Sequence, residues 1–343
     1  MKLAGAVRWQ VHPVSAFSAR AKEWQAINHA SGATPLLDPR FVAPLLAAFA
    51  SGDEVLAVLR GDGRPVAMGI FRRNNAFVWQ TLQPANAPLG LFVALPEVVL
   101  DAIVPSLMAA LSPTCLILGI TQQDPELRSR PAAASRVADL DYIETPRISV
   151  PASFETYWRG RSKNLRHDVS RQKNRLARQG ITAELITLTT RDELARAVAD
   201  YARIESAGWK GEIGSAVSGE DRQAKFYAEM LGAFAETGEA LGCEYAIDGK
   251  VVACDLCLLC QETLYILKTT YDESLQGFSP AHLMRHDLFA RLFDGRCAVV
   301  EFYGPVKDWH RRLTDERRTM YHLNYYRWSF LKFLHRARGS GVA

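Results

Sequence analysis

The chain has 343 residues, of which 48% are hydrophobic and 23% are charged, and its formal net charge is +4. This balance excludes an intrinsically disordered chain and predicts a globular protein long enough for two ordinary domains. No apolar run approaches the ~20 residues of a membrane span, and the N-terminus lacks a signal-peptide core, so we expect a cytoplasmic protein.

The first part of the chain alternates between helical and extended patterns. An Asp62-Gly63 turn joins two apolar runs, and a proline-rich segment at 84–88 follows the next strand. Strands are predicted at 7–11, 55–60, 65–71, 77–81, 115–120 and 142–150, and helices at 16–29, from Asp38-Pro39 and after Pro96. The alternation predicts a mixed α/β fold.

A strongly basic helix is predicted within 154–178. Leu165, Val169 and Leu176 recur at helical spacing. The charge run is typical of a solvated amphipathic helix, but it would also suit the rim of a site for an anionic ligand. Interleaved aromatic residues are missing, so we expect no nucleic acid here. The cations are Arg161, Lys163, Arg166, Arg171, Lys173, Arg175 and Arg178.

Residues 244–309 read as strand, turn, strand, strand, loop, helix and strand. An Asp248-Gly249 turn joins the first two strands, and the third, at 263–272, is rich in β-branched and aromatic residues. The loop that follows opens a helix, with Ser279 as its cap and Pro280 at its first position. A loop of small residues at a helix N-terminus presents N–H groups and a positive dipole end, which favours a phosphate.

A short internal sequence repeat links the two parts of the chain. The segment 62–67 matches 248–253, and at the same offset Trp79 falls on Tyr265. Because the order of elements also matches, we predict two related units, 1–150 and 151–343. In the first unit, the corresponding segment 84–90 contains prolines, which donate no N–H, so it is a poor phosphate-binding loop. This unit is therefore predicted to be degenerate.

The cysteines do not form a convincing metal site. Cys254, Cys257 and Cys260 have iron–sulfur-like spacing, but they lie in a predicted strand. There a spacing of three sends successive side chains to opposite faces, so we expect no metal and buried reduced thiols.

The same strand carries Asp255, and the next carries Lys268. If the connecting turn uses Gln261-Glu262, these two residues lie directly opposite each other as an ion pair. The pair is either a cross-strand contact or a device that orients a bound acceptor.

Several motifs resemble the GNAT-superfamily acetyltransferases of the cellulose-biosynthesis CelD/BcsL type. They are residues 204–211 (IESAGWKG), Phe226-Tyr227, Tyr271-Asp272-Glu273, Phe278-Ser279-Pro280 and residues 304–309 (GPVKDW). The resemblance covers roughly 150–325, and it implies a catalytic GNAT domain preceded by a degenerate GNAT-like one. Tandem units of this kind are also similar to the FemABX transferases. The chain departs at Ala281, where many relatives have a second glycine.

The resemblance implies acyl-coenzyme A as co-substrate, with its thioester along the strand 263–271 and its pyrophosphate on the loop. The basic helix would then flank coenzyme A phosphates or a phosphorylated acceptor. The loop residues in this role are Gln276, Gly277, Phe278, Ser279, Ala281, His282 and Leu283.

An acceptor amine would attack the thioester directly, which requires a general base. Glu205 is the preferred candidate because a carboxylate in the last turn of a helix opposes the dipole there. Asp272, His282 and His310 are the other candidates for the base, and Tyr271 or Tyr303 could protonate the leaving thiolate. The acceptor pocket is predicted to include Trp209, Lys210, Asp255, Lys268, Tyr303, Lys307 and Trp309.

The tail from Tyr321 carries aromatic residues beside Arg and Lys. It is either a helix packed on the domain or a contact with an anionic membrane surface. We therefore expect an N-acyltransferase acting on a cell-envelope precursor, either an amino sugar of an exopolysaccharide or a sphingoid-type lipid amine. The alternatives are a FemABX-like transferase that uses aminoacyl-tRNA and a non-catalytic acyl-coenzyme-A-binding partner of a synthase.

Overall fold

A computed structural model describes residues 8–131, 134–207 and 222–337. The strands are β1 Arg8–Pro13, β2 Val55–Gly61, β3 Arg64–Arg73, β4 Val78–Thr81, β5 Phe92–Ala94, β6 Ile117–Gln123, β7 Val137–Ser149, β8 Ala183–Leu188, β9 Ala240–Ile247, β10 Lys250–Cys260, β11 Thr263–Tyr271, β12 Val299–Glu301 and β13 Arg317–Tyr326. The helices are α1 Phe17–Ala30, α2 Pro39–Phe49, α3 Leu100–Leu111, α4 Phe154–Arg159, α5 Lys163–Arg178, α6 Arg191–Ala207, α7 Arg222–Ala235, α8 Pro280–Leu292, α9 Asp308–Leu313 and α10 Ser329–Ala337.

The chain forms two compact units, one from 1–143 with 319–343 and the other from 144–318. The sequence prediction placed the division near residue 150 and the tail with the second unit, whereas residues 319–343 group with the first unit here. Residues 321–326 are strand rather than helix, and they pair with β6 of the first unit. The side chains of Tyr321, Tyr325 and Tyr326 are buried in this pairing, so they do not form an exposed aromatic surface.

In the first unit, strands pair in the order β1-β2-β3-β4-β6-β13, with β5 also on β3. All described pairings are antiparallel except β4 with β6. The apolar cluster lies between this sheet and α3. At the end of β4, the hydroxyl groups of Thr81 and Thr121 are hydrogen-bonded over 2.7 Å, and Gly90 N–H donates to the Gln122 carbonyl. The segment 82–91 thus packs against the end of the parallel pair.

Gly90 packs so tightly here that a side chain has no room. A Cβ at Gly90 would lie 2.3 Å from the Thr121 carbonyl oxygen. Gly90→Ala is expected to lower the free energy of unfolding by about 1–3 kcal/mol, the usual cost of overpacking. Urea titration measures it, with Gly277→Ala as the control, since a Cβ there meets nothing within 4 Å. Equal stability of the two variants would contradict the packing argument.

In the second unit, strands pair in the order β7-β12-β11-β10-β9-β8, and among the strands that the structure describes there, only β11 and β12 are parallel. Helices α4, α5, α8 and α9 share an apolar cluster with the sheet. Helix α6 covers the other face, where the Cys254 thiol donates to the Ala197 carbonyl over 3.6 Å. Cys257 belongs to the cluster with α8, so these two sulfurs lie on opposite faces, as their spacing requires.

The two units share the predicted order of helix pair, hairpin, strand, helix and strand, which confirms the mixed α/β fold. Both Asp-Gly turns have the positive φ angles of a type I′ hairpin, 50° and 79° at Asp62-Gly63 and 47° and 76° at Asp248-Gly249. The basic segment predicted at 154–178 forms two helices instead, since the chain breaks at 160–162 and Ser162 caps α5.

The predicted register between β10 and β11 is correct next to the turn and wrong beyond a bulge. Gln261 and Glu262 have φ of 47° and 60°, and Cys257 lies opposite Ile266 as expected. Leu256 then pairs with Lys268, because Leu267 is an extra residue on β11. Asp255 is therefore opposite Thr269, and the predicted Asp255–Lys268 pair does not form.

Candidate active site

The second unit contains a cavity of about 650 Å³ beside the point where β11 and β12 part. The two strands pair only from Thr263 to Tyr265, because β12 ends at Glu301 while β11 continues to Tyr271. The remaining edge of β11 borders the cavity, and such a volume is typical of a small-molecule site.

Glu205 lies on the wall of this cavity, in the last turn of α6. Its side chain is 4% exposed, and its Oε1 accepts a hydrogen bond of 2.7 Å from the Tyr201 hydroxyl. Burial and the nearby Glu205 charge raise the pKa of Tyr201 and of Tyr227, which therefore stay protonated as potential donors. Sequence reasoning identified Glu205 but missed Tyr201, one helical turn earlier.

The loop before α8 begins with a 3-10 helix, Glu273–Phe278, rather than an open strand-to-helix link. Ser279 has φ 55°, and its side chain makes no capping bond. Its carbonyl instead accepts from His282 N–H and Leu283 N–H. Because Pro280 has no N–H, the helix start offers fewer free donors than the sequence suggested.

The predicted loop residues divide into two groups. Gln276, Ser279, Ala281 and His282 line the cavity, and Gly277, Phe278 and Leu283 are not part of its lining. Leu283 is fully buried in the core, whereas the Phe278 ring lies 4.3 Å from the Arg175 guanidinium. The basic helix α5 therefore flanks the loop, and this contact places one of its cations there.

Asp272 and Tyr271, candidates for the base and the proton donor at the end of β11, differ in whether their side chains are engaged by neighbouring residues. Oδ1 of Asp272 accepts from Ser274 N–H, and Oδ2 pairs with Lys250 over 3.2 Å. The Ser274 hydrogen bond, together with Lys250, lowers the pKa of Asp272, which suits a turn cap better than a base. Tyr271 lines the cavity.

Of the residues predicted to bind the acceptor, some line the cavity and others do not. Lys268, Lys307 and Trp309 line the cavity, and Lys268 lies 5.6 Å from the Tyr227 ring. Tyr303 is not part of the lining; it has φ 48° and stacks on Tyr265. Trp209 and Lys210 lie outside the described residues.

Asp255 has a different partner from the one predicted. It is fully buried, and its Oδ1 accepts 3.1 Å from Arg285, which is 2% exposed and lines the cavity. Arg285 also donates to the Thr269 hydroxyl and lies 4.3 Å from the Trp309 ring. In the sequence, Arg285 falls on the apolar face of the helix that begins at Pro280. A cation in that position needs a buried partner, and this signal could have identified it.

Two histidines of the cavity wall are held neutral. Burial, followed by the charge of Arg285, lowers the pKa of His282 to about 4 and that of His310 to about 3. His282 Nε2 is buried without a hydrogen-bond partner among the described residues. His310 Nδ1 accepts 3.0 Å from Lys307 N–H.

These depressed pKa values predict a loss of stability in acid. Unfolding lets both imidazoles bind protons at their usual pKa near 6.5, so stability is present above that pKa and falls as the pH drops towards 4. Lowering the pH from 7 to 5 should cost roughly 2 kcal/mol for each imidazole. Urea midpoints of His282→Gln and His310→Gln should fall less over this range than those of wild type. Substitution of the exposed His29 is the control. If the urea midpoint falls equally with pH in all variants, the two cavity histidines are not the cause of the acid sensitivity.

In the described ranges, no group of His, Cys, Asp and Glu could hold a metal ion. Every helix within those same ranges is too short or too polar to cross a bilayer.

The sequence comparison identifies the class of this site. Residues 163–311, from α5 into α9, match the sequence profile of the acetyltransferase (GNAT) domain. The cavity residues just described lie within this segment. This segment therefore forms a GNAT acetyltransferase domain, and the expected GNAT-like fold of the second unit is confirmed. Among curated protein sequences, none matches the chain.

Solved structures show the same fold over nearly the whole chain. The C-terminal domain of a proposed lysylphosphatidylglycerol synthetase from Agrobacterium fabrum is 12% identical, with a TM-score of 0.57, covering 93% of this chain and 96% of its own. FemX is 10% identical, with a TM-score of 0.54 and coverage of 96% and 100%. L-PGS from Bacillus licheniformis is 14% identical, with a TM-score of 0.50 and coverage of 92% and 96%. At these identities the similarity concerns the fold alone.

Proposed function

We propose that this protein is an acyl-coenzyme-A-dependent N-acyltransferase of the CelD/BcsL type. Its acceptor is the amine of a cell-envelope precursor, either an amino sugar of an exopolysaccharide or a sphingoid-type lipid amine. The observation that carries the proposal is the cavity beside the divergence of β11 and β12, with buried Glu205 on its wall. An extended pantetheine amide chain can pair with a strand edge left open in this way.

The phosphates of coenzyme A fit the loop side of the cavity. The N-terminus of α8 supplies a positive dipole end. Ala281 lies in its first turn and lines the cavity, and its backbone N–H is the donor that this turn offers to a phosphate. The loop therefore needs additional cations. Helix α5 supplies Arg175, whose guanidinium covers the Phe278 ring at the edge of the loop.

The chemistry is direct transfer. The acceptor nitrogen attacks the thioester carbon, the C–S bond breaks, and the ammonium proton passes to the Glu205 carboxylate. The Tyr201 hydroxyl holds that carboxylate at 2.7 Å and fixes its position. Tyr271, on the cavity wall, protonates the departing thiolate. Lys307 and Trp309 bind the acceptor, with the ammonium group of Lys307 recognising a phosphate or carboxylate on it.

The test combines binding with turnover. Calorimetry with acyl-coenzyme A of graded chain length measures binding, and release of free thiol with sphingoid bases or amino sugars measures transfer. We expect micromolar binding and amine-dependent thiol release. Binding without turnover on any amine would support a non-catalytic acyl-coenzyme-A-binding protein, and absence of binding would refute the proposal.

Aminoacyl transfer from aminoacyl-tRNA is the second candidate. The fold similarity to FemX and to the lysylphosphatidylglycerol synthetase domain favours it, as does the basic helix beside the loop. In this case the affinity for tRNA would fall steeply with salt, because phosphate contacts release counterions. Salt-insensitive or absent tRNA binding would exclude this candidate.

The described part of the tail is proposed to contact an anionic membrane surface. Trp328, Phe330, Phe333 and Leu334 are 47%, 55%, 70% and 54% exposed. Aromatic residues of this kind insert into lipid interfaces. Vesicles with anionic lipid should co-sediment with the wild type and much less with Phe330→Ser/Phe333→Ser, while neutral vesicles serve as the control.

A further inference from the structure

His310 occupies an unusual environment for a cavity histidine. It is 5% exposed and lines the cavity. Its ring stacks on Trp309 at 3.5 Å between centroids and meets the Phe302 ring edge-on at 4.9 Å. Two aromatic neighbours therefore fix the plane of the imidazole.

One hydrogen bond fixes its tautomer. Lys307 N–H donates to His310 Nδ1 over 3.0 Å. A backbone N–H is always a donor, so Nδ1 must keep its lone pair and the ring proton must reside on Nε2. An imidazolium would carry a proton on both nitrogens and would lose this bond. Among the described residues, Nε2 itself has no hydrogen-bond partner.

We infer that His310 is a fixed hydrogen-bond donor that polarises the carbonyl group of the acyl donor through Nε2–H. This inference rests on the proposed function and adds a catalytic residue to it. As the thioester carbon is attacked, negative charge develops on its oxygen, and a preorganised donor in a water-poor site stabilises that charge. No proton is transferred at this step: the N–H bond of His310 stays intact, and the electron pair returns to expel the thiolate.

The same geometry removes His310 from the candidates for the general base. Its only lone pair is already used by Lys307 N–H. His310 does not act as the acid either, because loss of the Nε2 proton would create an imidazolate, which is far less stable than the phenolate that Tyr271 would form. Glu205 and His310 thus have opposite roles in one cavity, one accepting a proton and the other donating a hydrogen bond.

A pair of conservative variants separates the two ring nitrogens. In His310→Asn, the amide oxygen can replace Nδ1 and still accept from Lys307 N–H, but the donor at Nε2 is lost. In His310→Gln, the amide nitrogen reaches the position of Nε2 and keeps the donor. We expect kcat to fall about 10²–10³-fold in His310→Asn with unchanged affinity for acyl-coenzyme A, and much less in His310→Gln. Equal losses in both variants, or none in His310→Asn, would overturn the inference.

Two readouts do not depend on the acceptor. Nitrogen-15 NMR of labelled histidine should show a neutral Nε2–H tautomer for His310 at pH 5–8, and an Nδ1–H tautomer would refute the inference. Isotope-edited infrared spectroscopy of bound acyl-coenzyme A should show a carbonyl stretch that moves to higher frequency in His310→Asn. If acyl-coenzyme A does not bind at all, the proposed function fails, and the carbonyl role of His310 fails with it while the NMR result still reports its tautomer.

Discussion

Replacing Glu205 with glutamine is expected to lower kcat by about 10²–10⁴-fold and to leave the Kd for acyl-coenzyme A unchanged. Glutamine preserves the volume of this buried side chain and can still accept from the Tyr201 hydroxyl. It cannot take up the proton that the attacking amine must lose. The measurement is thiol release under saturating substrates, with calorimetry for binding.

The matched control is Glu229→Gln, the same change at an exposed position on α7. Its turnover should stay within about twofold of wild type, as expected for a surface site outside the cavity. If Glu205→Gln turns over as fast as Glu229→Gln, then Glu205 is not the base. A parallel loss of acyl-coenzyme A binding would instead indicate a structural role for the carboxylate.

Removing Arg285 is expected to destabilise the protein by about 3–5 kcal/mol, because Arg285→Ala leaves the fully buried Asp255 without its cation. The guanidinium also packs on the Trp309 ring, so the change opens the cavity wall as well. Urea unfolding followed by fluorescence measures the loss. A decrease below about 1 kcal/mol, the range of exposed pairs, would contradict it.

Two further variants identify the source of this loss. Asp255→Leu/Arg285→Met replaces both charges by apolar groups of similar size and should recover much of the stability, as buried pairs often do. Arg203→Ala breaks an exposed pair with Asp200 and should cost no more than about 1 kcal/mol. If the double variant is as unstable as Arg285→Ala, lost packing rather than the unpaired charge is responsible.

Local sequence patterns predicted the elements that frame the site. The Asp248-Gly249 turn, the strand at 263–272 and the helix beginning at Pro280 follow from turn chemistry and residue preferences, which act over a few residues. Glu205 was predicted as the base in the same way, since a carboxylate in the last turn of a helix opposes the dipole. The tandem order of elements followed from a short internal match.

The wrong predictions concern features that depend on contacts between residues far apart in the sequence. One extra residue at Leu267 shifts the register of β11, and Asp255 consequently finds Arg285 on α8 instead of Lys268. The segment 321–326 carries residues that suit a helix or a strand, and its pairing with β6 selects the strand. No local pattern contains this information.

The sequence by itself determined the fold class, the hairpin turn at Asp248-Gly249 and the start of α8 at Pro280, because these depend on neighbouring residues along the chain. Only the tertiary structure placed Tyr201, Arg285 and His310 around one cavity and fixed the lone pair of His310 on Lys307 N–H. The reason is physical: burial, ion pairing and tautomer choice depend on which side chains meet in space, and the spacing of residues does not specify that.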